Sequence, residues 1–403
     1  VATSIAVSDT VSDLGATTTA RPDAAAARAA VWPLWCAVGA SLVVGFGTHW
    51  DIAWHRSIGR DGFWSPPHVA IYAAAVLAAA AALAQVLPAT FGRGAARASS
   101  VRVLGFRGPL GAFISAWGGI AMLSSAPFDD WWHNAYGLDV KILSPPHVVL
   151  ALGIIALHLG AAVMLAGAMN RSRTDGARRR TLEALLLVVG GNILVALMTV
   201  LMEKTVRPFM HTGSFYVVVG TALPVVLAAV AGATGRRWAG TTAVVVYSLF
   251  LLALLWTFPL VSVQPRLGPV LVPTTCLVPA EFPLAILPAA AALDVWLRRR
   301  RDASGGAAGL ATAVGGGVLF TALFFVCQWP FASFLMSPHA RNFFWGARYF
   351  DFWMPPEFLY RRNLFFQEPA AAVARGLALA CLGAALSVAV GRGIGRWLAR
   401  LRR

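Results

Sequence analysis

Apolar runs of membrane-spanning length recur along this chain, and they constrain its fold more than any other feature. A helix needs roughly twenty apolar residues to cross the hydrocarbon core of a bilayer. About ten stretches meet that length: 31–54, 66–88, 108–128, 145–169, 181–203, 215–234, 239–262, 273–297, 310–336 and 370–391. Only 12% of the 403 residues are charged, about half the share of a soluble domain. Backbone polar groups inside lipid must pair within their own segment, so the expected fold is all-α, a polytopic transmembrane helix bundle of about ten spans. Pro224, Pro259, Pro279, Pro283 and Pro288 interrupt or end spans six to eight, where the pattern is weakest.

The net charge of +16 would suggest a nucleic-acid partner in a soluble protein, and here it does not. The arginines fall in every second loop: Arg93 to Arg107, Arg171 to Arg180, Arg236 and Arg237, Arg298 to Arg301, and Arg392 to Arg403. Such a bias marks cytoplasmic loops, so both termini are expected in the cytoplasm, most simply of a bacterial plasma membrane. Residues 1–30 read as a disordered cytoplasmic tail, and the apolar run after them is too long for a signal peptide. Cys36, Cys276, Cys327 and Cys381 are scattered in apolar segments and read as small hydrophobes rather than a disulfide or thiolate framework.

One polar motif occurs twice at the loops expected to face outward. The first copy is Asp51, Trp54-His55, Gly59, Asp61 and Ser65-Pro66-Pro67-His68. The second is Asp129, Trp132-His133, Gly137, Asp139 and Ser144-Pro145-Pro146-His147. Six of the eight histidines lie between His49 and His158. Residues four apart share a helix face, so Asp51 and His55 converge at the end of one span, and Asp129 and His133 at the end of another. Ser-Pro-Pro-His reads as a helix start with Ser at the N-cap and Pro at the first helical position. The short connection returns that histidine beside the preceding helix end. Each hairpin tip thus offers one carboxylate and two imidazoles, a donor set that suits copper, iron or zinc. Asp61 and Asp139 are candidates to orient a ligand histidine, and Asp130 is a further candidate in the second copy. The bland reading is a duplicated hairpin whose Trp, Asp and His merely suit the membrane–water boundary.

The sets Asp51/His55/His68 and Asp129/His133/His147 resemble the metal-binding segments of the membrane C subunit of particulate methane and ammonia monooxygenases. That family carries Asp-x3-His-x12-His and then Asn-x3-His-x13-His, and both spacings are matched in order over about residues 45–150. Asp129 replaces the family's Asn and makes the second site more anionic. The resemblance implies copper at both sites, with O2-dependent oxidation of a small apolar or ammonia-like substrate. It also implies other membrane subunits and a periplasmic cupredoxin-like electron donor as partners. A pocket lined by Trp54, Trp64, Trp131 and Trp132 is expected around the metals. Residues 31–170 then form a duplicated metal-binding unit of four spans, and residues 171–403 a further bundle of about six.

Other polar residues set up rival readings. Glu281 lies in a proline-broken segment of the kind that lines transporter cavities, so a metal-handling transporter is one alternative. A non-catalytic partner subunit is another, docking through the long aromatic loop 337–369, which contains His339, Arg341, Phe343, Phe344, Trp345, Arg348, Tyr349, Trp353 and Glu357. A haem protein would need paired histidines at equal depth, and His158 is the one histidine clearly deep within a span. It reads first as a helix-packing residue. Glu183 and Asp294 are expected to reach water near the cytoplasmic ends, and Glu203, Lys204, Arg207 and His211 to gather on the outer side.

Overall fold

The computed structural model describes residues 31–59, 62–93, 95–137, 144–172, 174–266, 274–303, 305–346 and 367–402. The expected tail at 1–30, Asp61, Asp139 and residues 347–366 of the aromatic loop lie outside the described residues. Ten helices of 13 residues or more follow in order: α1 Trp32–Ser57, α2 Pro66–Phe91, α3 Leu110–Tyr136, α4 Pro145–Arg171, α5 Gly176–Val200, α6 Gly213–Thr234, α7 Ala239–Thr257, α8 Leu287–Arg299, α9 Gly306–Met336 and α10 Ala370–Arg400. Among the described residues the only sheet is a two-stranded hairpin, Val101–Val103 with Phe106–Gly108, between α2 and α3.

Eight of these helices are long and apolar enough to cross a membrane. The other two are α1 and α8. Helix α1 has the length but carries Thr48, His49, Asp51, His55 and Arg56 in its second half. The run expected at 273–297 is broken. Residues 274–286 are not helical, and the 13 residues of α8 span only about 20 Å at 1.5 Å per residue. Pro279 and Pro283 remove backbone donors there, and Pro288 sits at the helix start where its missing N–H costs nothing. Pro224, by contrast, lies inside α6 without ending it.

Small residues let α1 to α4 pack closely. A Cβ on Gly111 would lie 2.5 Å from the Gly160 carbonyl oxygen, and one on Gly118 would lie 2.7 Å from that of Gly153, so α3 and α4 touch backbone to backbone. Gly47 of α1 packs on Ile71 of α2, and Gly119 of α3 on Ala75 of α2. The two hairpins therefore stand side by side around a shared core of Val44, Ile71, Ala75, Met122 and Leu157.

The basic ends of the helices meet at the other end of the bundle. Asn170 donates to the Leu398 and Leu401 carbonyls, and Arg171 to that of Arg402. Glu183 and Asp294 do not reach water as expected: they are 7% and 4% exposed. Glu183 pairs with Arg179 at 2.9 Å and Arg236 at 2.8 Å. Asp294 accepts from the Gly240 and Thr241 amides and the Thr241 hydroxyl, satisfying the otherwise orphaned donors at the start of α7.

Candidate metal centre

Each motif copy is built by the same local device. Helix α1 ends at Gly59 with φ +109°, and α3 ends at Gly137 with φ +87°. A side chain there would be strained, which explains a glycine four residues after each first histidine. The Gly59 amide donates back to the Trp54 carbonyl at 3.1 Å, and the Gly137 amide to that of His133 at 3.0 Å. Chain reversal then returns Ser65 and Ser144 as N-caps of α2 and α4. Ser144 Oγ accepts from the His147 amide, whereas the Ser65 side chain makes no cap bond.

The result is one carboxylate between two imidazoles, twice. His68 Nε2 lies 3.4 Å from Asp51 Oδ1, and His55 Nε2 lies 3.9 Å from Asp51 Oδ2. His147 Nε2 lies 3.5 Å from Asp129 Oδ1, and His133 Nε2 lies 3.3 Å from Asp129 Oδ2. Sequence spacing placed each triplet on one hairpin, and the fold also brings the two triplets together. All six side chains line a single cavity of about 500 Å³ between α1, α2, α3, α4 and α5. No family model matches this chain, and no curated protein or solved structure matches it.

Two donors each about 2.1 Å from one ion stand about 3 to 3.5 Å apart, close to the four carboxylate–imidazole distances. Asp129 Oδ1 is sealed from solvent and accepts no hydrogen bond of normal geometry from the described residues. A desolvated carboxylate oxygen facing imidazole nitrogens needs a cation, either a metal ion or a protonated histidine. Among the described residues no three His, Cys, Asp or Glu side chains form a closed, ready-made coordination shell. The donor set suits an ion by its chemistry, but the side chains as placed do not form a group that could hold one.

The four tryptophans are not part of the cavity wall, contrary to the sequence expectation. Trp64 and Trp131 are 76% and 54% exposed, and Trp54 packs against the buried cluster of Ala53, Leu254 and Phe258. Phe63 and Tyr72 take the aromatic positions on the wall. Asp130 does line the cavity, with its carboxylate 3.4 Å from the Asn134 amide nitrogen.

A buried ionic network borders the centre. Arg56, next to His55, donates to the Pro279 carbonyl at 2.8 Å and lies close enough to Glu281 to act on its charge. Arg207 Nε sits 3.2 Å from Glu281 Oε1, with side chains 5% and 4% exposed, and its guanidinium also reaches the Trp345 carbonyl. Ser57 Oγ accepts from the Val278 amide. The last turn of α1 is thereby tied to the segment 274–286. Arg207 and His211 do not form one cluster with Glu203 and Lys204. Both are buried, and His211 Nε2 instead meets Ser333 Oγ at 3.0 Å and the Trp329 carbonyl at 3.2 Å.

Burial pushes the His211 imidazole down to about 4, against which its bond to Trp329 works only partly. A depressed histidine stays neutral in the folded chain while the unfolded chain takes up a proton below about 6.5. Stability therefore falls as pH drops from about 6.5 toward about 4, by at most about 1.4 kcal/mol per pH unit. Thermal unfolding in detergent at pH 7 and pH 5 should show this fall, reduced in His211→Gln relative to the parent. Equal falls in both proteins would remove His211 as its source.

Proposed function

We propose that the cavity is the centre of an O2-dependent oxidase of the copper membrane monooxygenase kind. Asp51, His55 and His68 would hold one copper, and Asp129, His133 and His147 a second. The observation that carries this reading is the convergence of both Asp-His-His sets on one largely apolar cavity. Copper, when bound there, supplies binding and reduction of O2. The chain's own residues do the rest. Asp51 and Asp129 lower the positive charge of the site and orient the imidazoles, the helix ends position both histidines of each set, and the cavity receives the substrate.

Net monooxygenation inserts one oxygen atom into a substrate bond to hydrogen and reduces the other to water, which consumes two electrons and two protons. A cupredoxin-like protein on the motif side is the class of partner that would deliver the electrons. The alternation of basic loops supports an outward motif and cytoplasmic termini, with α1 and the broken segment completing the ten crossings. A metal-handling transporter is the second reading, and the non-helical stretch around Glu281 favours it. That carboxylate is already committed to two guanidiniums, however, which makes it a poor cation ligand.

The test is O2 consumption coupled to oxidation of an added alkane or amine, by copper-loaded protein in lipid discs with an artificial reductant. Turnover lost in His55→Ala or His133→Ala supports oxidation. Copper binding without turnover, together with copper uptake into sealed vesicles, would replace oxidation with transport.

A further inference from the structure

Among the described residues the same cavity holds two buried imidazole nitrogens without a hydrogen-bond partner, Nε2 of His49 and Nε2 of His158, and the first lies nearer the proposed metals in the chain. His49 lies two residues before Asp51 and is 2% exposed. Its Nδ1 stands 2.8 Å from the Gly45 carbonyl oxygen, which can only accept, so Nδ1 carries the proton. The neutral ring then presents a lone pair on Nε2. That nitrogen is sealed from solvent and has no hydrogen-bond partner among the described residues. Phe282 and Phe250 pack on the ring at centroid distances of 5.2 and 5.8 Å and hold it in place.

The nearby wall hydroxyls offer Nε2 no donor. The hydroxyls of Thr48, Ser125 and Thr199 donate to the carbonyls of Val44, Met122 and Val195 in their own helices. His158, deeper on α4, bonds the Ile154 carbonyl through Nδ1 and lies against the Ser41 backbone. The remaining surface is mostly that of apolar side chains such as Val44, Ile71, Leu150 and Ile154. A buried acceptor left unpaired is costly, and an occupant with a donor would relieve that cost. The cavity of about 500 Å³ falls in the range that receives drug-sized ligands, far more than a gas molecule needs.

We infer that the cavity takes a medium-length, uncharged, mainly hydrocarbon molecule with one hydroxyl or N–H group, which donates a hydrogen bond to Nε2 of His49. That this molecule is the substrate rests on the function proposed above; that it binds does not. The probe is a diazirine derivative of 1-octanol, photo-crosslinked to the full chain in lipid discs and mapped by peptide mass spectrometry. Its competitors are 1-octanol and an ether of the same size, which accepts hydrogen bonds and cannot donate one.

Labelling should map to the cavity-lining helices α1, α2, α3, α4 and α5, and the alcohol should compete about tenfold better than the ether. His49→Phe should erase that preference while His158→Phe leaves it, and His49→Gln, which keeps an acceptor near the Nε2 position, should retain it. Equal competition in the parent, a preference that persists in His49→Phe, or labelling confined to other helices would each overturn the inference. Metal content is measured on the same samples. A normal preference without metal defeats only the copper reading, and metal without a preference defeats only this one.

Discussion

His55→Ala and His133→Ala should each cost the purified protein one of the two coppers proposed for it, and the double variant should retain none above background. The expectation follows from the two separate carboxylates. Asp51 serves His55 and His68, and Asp129 serves His133 and His147, with pair distances of 3.3 to 3.9 Å. Deleting one of three ligands should weaken its own site by more than about a hundredfold, since loss of mere outer-shell partners already costs about ten- to a hundredfold. The other site should keep its ion. Elemental analysis counts the ions, and electron paramagnetic resonance of the Cu(II) form reports whether nitrogen ligands disappear one at a time. Zinc or iron in place of copper would keep the sites and discard the copper chemistry. A metal-free parent prepared with excess copper, with all variants folded, would leave the motif as a repeated helix-end structure and sink the metal reading.

The helices and the hairpin tips were legible because their signals are local. Twenty-residue apolar runs, glycine at the chain reversal and Ser-Pro-Pro at a helix start each act within a few residues. What escaped the sequence depends on partners far along the chain. The meeting of the two motif copies rests on Gly119 packing against Ala75, a contact between small residues that have no periodic signature. Glu183 and Asp294 are buried because Arg236, from the loop before α7, and Thr241, from the first turn of α7, pair with them. The tryptophans follow the interfacial preference of their side chains rather than the motif they adjoin. His49 stood two residues from Asp51 with no repeat in the second copy, so only the cavity shows its direction.

The buried ionic network links these long-range contacts to the centre, and breaking it should have the largest effect on stability. Glu281 lies within reach of both Arg56 and Arg207, and all three residues are less than 9% exposed. Glu281→Gln keeps the side-chain shape but leaves two buried guanidiniums facing each other without a counter-charge. Removing one partner of a buried pair typically costs about 3 to 5 kcal/mol, well above the loss of an ordinary hydrogen bond. Thermal unfolding in detergent should show that loss. Glu281→Gln combined with Arg207→Met should recover part of it, because the second change removes one of the stranded charges. The damage should also reach the first metal set, since Arg56 fixes the α1 turn that carries His55 through the Pro279 carbonyl. Metal affinity at Asp51/His55/His68 should fall while that at Asp129/His133/His147 holds. An unchanged unfolding temperature in Glu281→Gln would mean that water, not Glu281, balances the two arginines, and the proposed tie between segment 274–286 and the metal centre would fall with it.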